Sequence, residues 1–254
     1  MKQFGRFRGL LAAYGVAVLA TSLTLTVQAQ TQQGQAQVQA ITGSADYSEG
    51  GGTWTQLRVG KMLKAGTVVR TAAGSQVDLY LRKNGPVVRL VENTTLALDK
   101  LLFEDTGADT VIETQLDLKA GRILGAVDKM AAASKYEVKT PNSVTGIRGT
   151  KYDISANGKV VVVDGWVMVI YVDAKGKTTS YRVDEGQTFD PTIPGVRPST
   201  PEEKEYAETH MPKEERPTTV IIKEIYREPF TSPTSPLDGP SSSPAPGVDP
   251  NRGG

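Results

Sequence analysis

The middle of the chain alternates short apolar runs with glycine-containing turns. From about residue 41 to residue 189 the runs are rich in β-branched residues, and no long stretch has helical periodicity. "KYDIS" and "KVVVV" flank Asn157-Gly158, a dipeptide typical of a two-residue type I′ hairpin turn. "VVVV" and "WVMVIYV" flank Asp164-Gly165 in the same way. The pattern predicts an all-β core with three consecutive antiparallel strands here, since parallel neighbours need longer crossovers.

A four-residue pattern recurs between the predicted strands. "LKAG" occurs at residues 63–66 and 118–121, and "VDEG" at residues 183–186 has the same order of apolar residue, two further residues and glycine. Each copy predicts a corner whose first side chain faces the core. Repeated corners are typical of an antiparallel β-sandwich, a jelly roll or a solenoid-like double β-helix.

The predicted core also contains an internal repeat. Residues 69–90 align with residues 138–163 when the Asn-Gly pairs at 84 and 157 are superimposed, and the alignment keeps the period-2 register of the strands. The second copy is four residues longer, and the extra residues fall around Gly146-Ile147-Arg148-Gly149.

The N-terminus has the features of a secretory signal peptide. Three cations precede an apolar run from Leu10 to Val27, and Val27-Gln28-Ala29 places small residues at the spacing that signal peptidase recognises. The alternative is an uncleaved membrane anchor, but hydroxyl-bearing residues in the distal half make a poor span. We therefore expect an exported protein, periplasmic, envelope-associated or secreted, with no transmembrane segment after cleavage.

Composition divides the remaining chain. Thr200 is a predicted N-cap and Pro201 the first residue of a short acidic helix that ends at His210. Thr218 to Tyr226 reads as a late strand, and the Pro/Ser-rich tail is too poor in apolar residues to fold. The predicted divisions are 1–29 signal peptide, 30–40 Gln-rich linker, 41–190 β domain, 191–230 charged helix plus late strand, and 231–254 disordered tail.

The composition also excludes several kinds of chemistry. There is no cysteine and only one histidine in 254 residues, so thiolate sites are excluded and imidazole-based catalysis is disfavoured. The 29 Lys and Arg residues nearly balance the 28 Asp and Glu residues, which gives no case for nucleic-acid binding. We expect no catalytic residues, no cofactor and no metal. The acidic loop with Glu104, Asp105 and Asp109 does not match a calcium-loop spacing.

The segment "TPNSVTGIRGT" is the most distinctive of the core. Its motif residues are Thr140, Pro141, Gly146, Arg148, Gly149 and Thr150. One hypothesis is an anion nest formed by the glycines and Arg148. The favoured hypothesis is a corner, in which both glycines adopt φ > 0 and Arg148 ties strand-end carbonyls or a carboxylate. The candidate carboxylates are Asp128, Glu137, Asp153 and Asp164.

Two tryptophans complete the candidate residues. Trp166 opens an apolar strand and is expected in the core, whereas Trp54 follows "EGGGT" and is expected to be exposed. The candidate ligand contacts are therefore Trp54 and Arg148.

These motifs together resemble the FecR domain, named for the periplasmic sensor of a bacterial iron–citrate signalling system. The resemblance rests on "LRVGKMLKAGTVVRTAAGSQVDLYLRKNG", "VRLVENTTLAL", "LDLKAGRIL" and "YEVKTPNSVTGIRGTKYDIS". It implies an all-β extracytoplasmic module that acts through protein or envelope contacts, with no catalytic residues to assign. Only about nine residues precede the apolar run, so we expect no cytoplasmic anti-sigma segment.

The sequence thus predicts a non-enzymatic exported module that mediates protein or cell-envelope interaction in sensing or signalling. The alternatives are a carbohydrate- or cell-wall-binding module and a polysaccharide-active enzyme on a β scaffold.

Overall fold

The computed structural model describes residues 30–107, 109–193 and 195–213. Within these ranges the elements are β-strands, one 3₁₀ turn at Arg82–Asn84 and one helix, α1, at Pro201–His210. In chain order the strands are β1 (Gln32–Gln33), β2 (Gln35–Thr42), β3 (Ala45–Glu49), β4 (Thr55–Gln56), β5 (Met62–Lys64), β6 (Thr67–Thr71), β7 (Gln76–Tyr80), β8 (Val87–Leu90), β9 (Thr95–Asp105), β10 (Thr110–Ala120), β11 (Arg122–Ala126), β12 (Lys135–Lys139), β13 (Ser143–Ile147), β14 (Lys151–Ser155), β15 (Val160–Asp164), β16 (Trp166–Val172), β17 (Thr178–Asp184), β18 (Gln187–Phe189) and β19 (Val196–Pro198).

The strands form two open sheets. Sheet I has the order β17–β16–β13–β12–β10–β9–β6–β3–β4, with β1 also pairing with β9, and sheet II has the order β19–β18–β15–β14–β11–β8–β7–β2–β5. Buried apolar residues from both sheets belong to one core cluster. The expected all-β class is confirmed, and its form is a sandwich of two mostly antiparallel sheets. The pair β10–β12 is parallel, because the chain leaves sheet I after β10, forms β11 in sheet II and then returns to sheet I as β12.

Alternation of side chains produces this core. In β16, Val167 and Val169 are fully buried, while Met168 and Ile170 between them point outward. Successive residues of a strand face opposite sides of the sheet, so each strand contributes about half its side chains to the interior.

The chain passes from one sheet to the other at corners, and the three four-residue motifs are among them. The first residues of the three corner motifs, Leu63, Leu118 and Val183, are all fully buried, which confirms the prediction that they face the core. Most passages between the sheets contain one residue with positive φ. These are Gly43, Gly60, Gly66, Gly74, Asn93, Gly121, Gly149, Gly165 and Gly186.

Two hairpin predictions need correction. β14 and β15 do pair, but four residues separate them and only Gly158 has a positive φ, so the turn is not the two-residue type I′ form. β15 and β16 do not pair at all. Asp164-Gly165 is a sheet-changing corner, with β15 in sheet II and β16 in sheet I.

The predicted linker at 30–40 is also wrong, since most of it is strand. Ala36 and Val38 of β2 are buried in the core and alternate with half-buried glutamines. The sandwich therefore begins before residue 41, and β19 extends it past residue 190.

Helix α1 begins and ends where the sequence predicts. The Thr200 side chain accepts a hydrogen bond from the Glu203 N–H, and the Glu203 carboxylate accepts one from the Thr200 N–H, which forms a capping box. The helix lies on sheet II: Arg122 of β11 stacks on the Tyr206 ring at 3.6 Å, and Arg89 of β8 donates to the His210 carbonyl oxygen.

The predicted signal peptide, late strand and disordered tail all lie outside the described residues. Among the residues that the structure describes, no helix is long and apolar enough to span a membrane.

Candidate functional site

Gly149 forms the corner between β13 in sheet I and β14 in sheet II. Its φ is 73°, and a Cβ there would lie 3.3 Å from Cα of Lys129. The corner prediction is therefore correct for Gly149. It is wrong for Gly146, which lies inside β13 without a positive φ and has only the Met168 carbonyl oxygen near its Cβ position, at 3.9 Å.

Arg148 is exposed and bonds to a carbonyl group. Its Nη1 donates to the Ala132 carbonyl oxygen at 3.2 Å. Asp153, one of its candidate partners, is instead buried against Arg122, whose Nε donates to Oδ1 at 2.6 Å. Burial raises the pKa of the Asp153 carboxyl, and the Arg122 guanidinium opposes that effect.

The other motif residues also hold turns together. The hydroxyl of Thr140 accepts the Ser143 N–H at 3.0 Å and so closes the turn around Pro141 between β12 and β13. The hydroxyl of Thr150 donates to the carbonyl oxygen of Trp166 at 2.7 Å, across the next corner.

These contacts fix a loop that we call the wall segment, residues 127–134. The Val127 N–H donates to the Thr150 carbonyl oxygen at 3.0 Å, and the Ile112 N–H donates to the Ser134 hydroxyl at 3.1 Å. Together with the bond from Arg148 to Ala132, they tie the segment at its start, middle and end.

The wall segment forms one side of a cleft of about 420 Å³. The opposite side is the turn between β7 and β8, residues 81–86, which we call the Arg82 turn; the start of β10 completes the lining. Ile112, Val127 and Met130 supply apolar surface, and Arg82 and Lys129 stand at the rim from opposite sides.

The Arg82 turn holds its arginine in an unfavourable conformation. Arg82 has φ 58°, the left-handed region that residues with a Cβ rarely adopt. Asn84, two residues further along, is fully buried, and its Nδ2 donates to the Leu102 carbonyl oxygen at 2.7 Å and to the Thr114 hydroxyl at 3.2 Å. The Thr114 hydroxyl donates in turn to the Asn84 carbonyl oxygen at 2.9 Å. This buried clamp fixes the turn.

Sequence reasoning did not single out the Arg82 turn. The available signal was "RKNG", two cations directly before an Asn-Gly pair, but the left-handed φ falls on Arg82 and not on Asn84. Only the structure shows that the asparagine side chain points inward and leaves the arginine at the cleft.

A second surface lies on the outer face of sheet I. Met168, Ile170 and Val172 of β16 are 37%, 43% and 42% exposed, and we call them the β16 stripe. Trp166 begins the same face and is half-buried, with the Arg182 guanidinium 4.4 Å from its ring centroid, so its assignment to the core is wrong. Gly146 of β13 lies beside Met168 and adds no side chain to this face.

Trp54 is exposed, as expected, and lies at the opposite end of sheet I from Arg148. Its ring stacks on the Arg70 guanidinium at 4.1 Å, and Arg70 in turn bonds to Asp46. Strands β6, β9, β10 and β12 lie between β3–β4 and β13, so the two candidate ligand contacts do not share one site.

The acidic β9–β10 hairpin makes ordinary side-chain contacts. Asp105 pairs with Lys83 at 3.3 Å and accepts a hydrogen bond from Thr110 at 2.7 Å. In the described ranges, no group of three or more His, Asp or Glu side chains is arranged to hold a metal ion.

The described residues therefore form a two-sheet all-β module with a ligand-sized cleft and an exposed apolar stripe. Residues 67–168 match the family model described as FecR protein. The match runs from the first residue of β6 into β16. FecR domains are periplasmic sensor modules and are not known as enzymes, which indicates a sensor or signalling role. A search of the curated proteins found no match.

Proposed function

We propose that this protein is an exported, non-enzymatic signalling module that binds a protein partner through β17 and the β16 stripe. The FecR match supports a sensing role, and protein partners are typical of such sensing. The observation that carries the proposal is an open, regular sheet edge directly beside exposed apolar side chains.

The edge is suited to strand addition. β17 pairs with β16 over seven residues, from Thr178 to Asp184, without a register shift. It is the terminal strand of sheet I among the described residues, and it contains no proline. Bulges, prolines and short length are common devices that keep sheet edges from pairing, and β17 has none of them. Its outer backbone groups are therefore suited to bind an extended segment.

The β16 stripe supplies the side-chain part of the surface. An added strand at β17 lies next to the outer face on which Ile170 and Val172 stand. Exposed apolar residues that adjoin one another on a face are a common mark of a protein interface. Because Gly146 of β13 has no side chain, the exposed face is open from β16 toward β12.

Charge around the stripe favours an acidic partner. Four cations lie on or beside the strands and turns of this face and form no ion pair within the described residues: Lys135, Arg148, Lys175 and Lys177. They outnumber the nearby carboxylates Glu137 and Asp173. The partner that fits is an extended protein segment with apolar side chains and flanking Asp or Glu residues.

The test is site-specific cross-linking in the native cells, with a photoreactive residue at Ser180 on β17. We expect one main protein adduct, which Ile170→Glu abolishes and Val59→Glu does not. Val59 is a matched control, because it is an apolar residue 62% exposed between β4 and β5, away from this face.

Hydrogen exchange on the purified complex then decides the mode of binding. Protection of the β17 amides by the captured protein supports strand addition. An adduct that survives Ile170→Glu, an adduct lost equally in Val59→Glu, or a polysaccharide as the captured species contradicts the proposal.

A further inference from the structure

The geometry points to the cleft between the Arg82 turn and the wall segment as a binding site for a small organic anion with an apolar body. The chemistry is shared by a hydrophobic carboxylate and a hydrophobic phosphate monoester. This inference does not depend on the protein-docking surface, which lies on the outer face of sheet I.

The cleft has the size and floor of a ligand site. Its volume of about 420 Å³ falls within the range of roughly 300–1,000 Å³ that is common for small-molecule pockets. Ile112 and Val127 are almost completely buried beneath it, and Met130 and Pro86 add half-buried apolar surface. Such a floor favours an aliphatic or aromatic group over a fully hydrated ligand.

The rim selects the charge of the ligand. Arg82, Lys83 and Lys129 line the cleft with two carboxylates, Asp109 and Asp128, so the cations are in excess by one. Lys83 pairs with Asp105, but Arg82 and Lys129 form no ion pair within the described part of the chain. Arg82 has only a long contact of 4.0 Å to the sulfur of Met62. Its fork of donors remains suited to an oxyanion.

The backbone of Arg82 gives an independent reason to assign it a function. A left-handed conformation is less favourable than the right-handed one for a residue with a Cβ, because the Cβ lies too close to the following carbonyl oxygen. Glycine or asparagine is the usual residue at such a position, and this turn has arginine with φ 58°. The buried Asn84 clamp imposes the conformation. A strained residue held by rigid surroundings at the rim of a cleft is a common property of binding sites.

The other side of the cleft is equally fixed. Gly149 packs against the backbone of Lys129, and Arg148 bonds to Ala132, so the "GIRG" segment positions the wall that presents Lys129. Two rigid sides, each with one cation free of ion pairs, allow binding without the cost of ordering loops.

The experiment titrates the full exported chain with four probes and monitors binding by calorimetry and by amide NMR shifts. Phenylacetate and phenyl phosphate carry both the anion and the ring, 2-phenylacetamide keeps the ring without charge, and acetate keeps the charge without the ring. We expect at least one of the first two probes to bind roughly tenfold or more tightly than both of the last two, because a charge-assisted hydrogen bond and ring burial each contribute. Which of the first two binds distinguishes a carboxylate from a phosphate ligand.

Variants separate function from folding. Arg82→Asn suits the left-handed position and removes the charge, so we expect an unchanged or higher Tm together with roughly tenfold weaker binding. Lys129→Gln is expected to weaken binding in the same direction. Lys64→Gln is the control, since Lys64 is an exposed cation on β5 outside the cleft.

Four results would each overturn the inference. They are failure of both ring-bearing anions to bind, equal binding of the neutral amide, equal binding of acetate, and equal loss of affinity in Lys64→Gln. A lower Tm in Arg82→Asn would show that the arginine is present for stability and would remove the argument from strain.

Discussion

Gly146 and Gly149 stand three residues apart and serve different purposes. Gly149 has a positive φ and packs against Lys129, whereas Gly146 is an ordinary strand residue with open space on one side. The sequence alone treats them alike, since both flank Ile147-Arg148. Only the backbone conformation distinguishes a required glycine from a tolerated one.

This difference gives a matched pair of substitutions. Gly149→Ala is expected to lower the free energy of unfolding by about 1–3 kcal/mol, because alanine is strained at positive φ and its Cβ presses on the wall segment. Gly146→Ala is expected to leave the stability unchanged or slightly higher, since alanine in a strand loses less conformational entropy than glycine. Chemical denaturation of both variants measures the difference. Equal destabilisation of the two would contradict the assignment of the corner to Gly149.

The burial and the bonding partners of individual side chains are the features least predictable from the sequence. Trp166 opens an apolar strand, yet its face of β16 is the outer one and Arg182 covers its ring. Asp153 looked like a partner for Arg148 and is bound to Arg122 from another strand. Both outcomes depend on which strands become neighbours, and local pattern carries no information on that pairing.

Helix α1 is the element that the sequence defined best. Thr200, Pro201 and Glu203 form a local start signal that needs no tertiary information. In the folded protein Glu203 also bonds to Arg197 of β19 and to Thr188 of β18, and it forms an ion pair with Lys159. One carboxylate therefore both caps the helix and attaches it to sheet II.

This attachment predicts a pH dependence. Hydrogen bonding from Arg197 lowers the pKa of Glu203 below its ordinary value of 4.5, with smaller contributions from Lys159, the Thr200 N–H and Thr188, while partial burial opposes them. Because the folded pKa is depressed, the stabilisation is complete above the ordinary pKa and is lost as the pH falls below it. Glu203→Gln is expected to lower the free energy of unfolding by about 1–3 kcal/mol at neutral pH, and its difference in Tm from the wild type is expected to shrink toward pH 3.

Thermal melts between pH 3 and pH 7 measure this difference. The raised pKa of Asp153 makes stability change with pH in the direction opposite to that of Glu203. Both proteins contain Asp153, so the difference in Tm between them removes its contribution. Glu205→Gln, an exposed position on the same helix, is the control and is expected to have little effect at any pH. A Tm difference for Glu203→Gln that is constant with pH would contradict the role of its charge.

Strand β2 shows why one element was missed. Ala36 and Val38 alternate with Gln35, Gln37 and Gln39, which is a period-2 pattern, but the apolar members are small and the composition resembles a linker. Pairing with β7 and burial in the shared core compensate for the weak local preference. By contrast, large β-branched runs such as β15 were evident from composition.

At the scale of the whole molecule, the folded unit is larger than the family match. Residues 67–168 exclude β2, β3 and β17, and the match ends within β16. Val38 and Phe189, on either side of the match, are buried in the same core cluster. The recognisable sequence is therefore the middle of a sandwich that continues in both directions.

This extent can be tested with two fragments. Residues 30–213 are expected to give a cooperative thermal transition and dispersed amide NMR signals, because the described strands of both sheets and their shared core lie within this range. Residues 67–168 alone are expected to aggregate or to show no cooperative transition, since their core loses the buried side chains of six or more strands. A stable, cooperative 67–168 fragment would show that the outer strands are accessory.

In both sheets the spatial order of the strands follows their order in the sequence almost throughout. Successive strands of a sheet are therefore mostly neighbours in it. An architecture of this kind can gain or lose a pair of strands at either end without changing the pairing of those already in place. The Arg82 turn and the wall segment join strands in the interior of the two sheets and not at their ends. We therefore expect proteins with more or fewer strands at the ends of this sandwich to keep the same cleft.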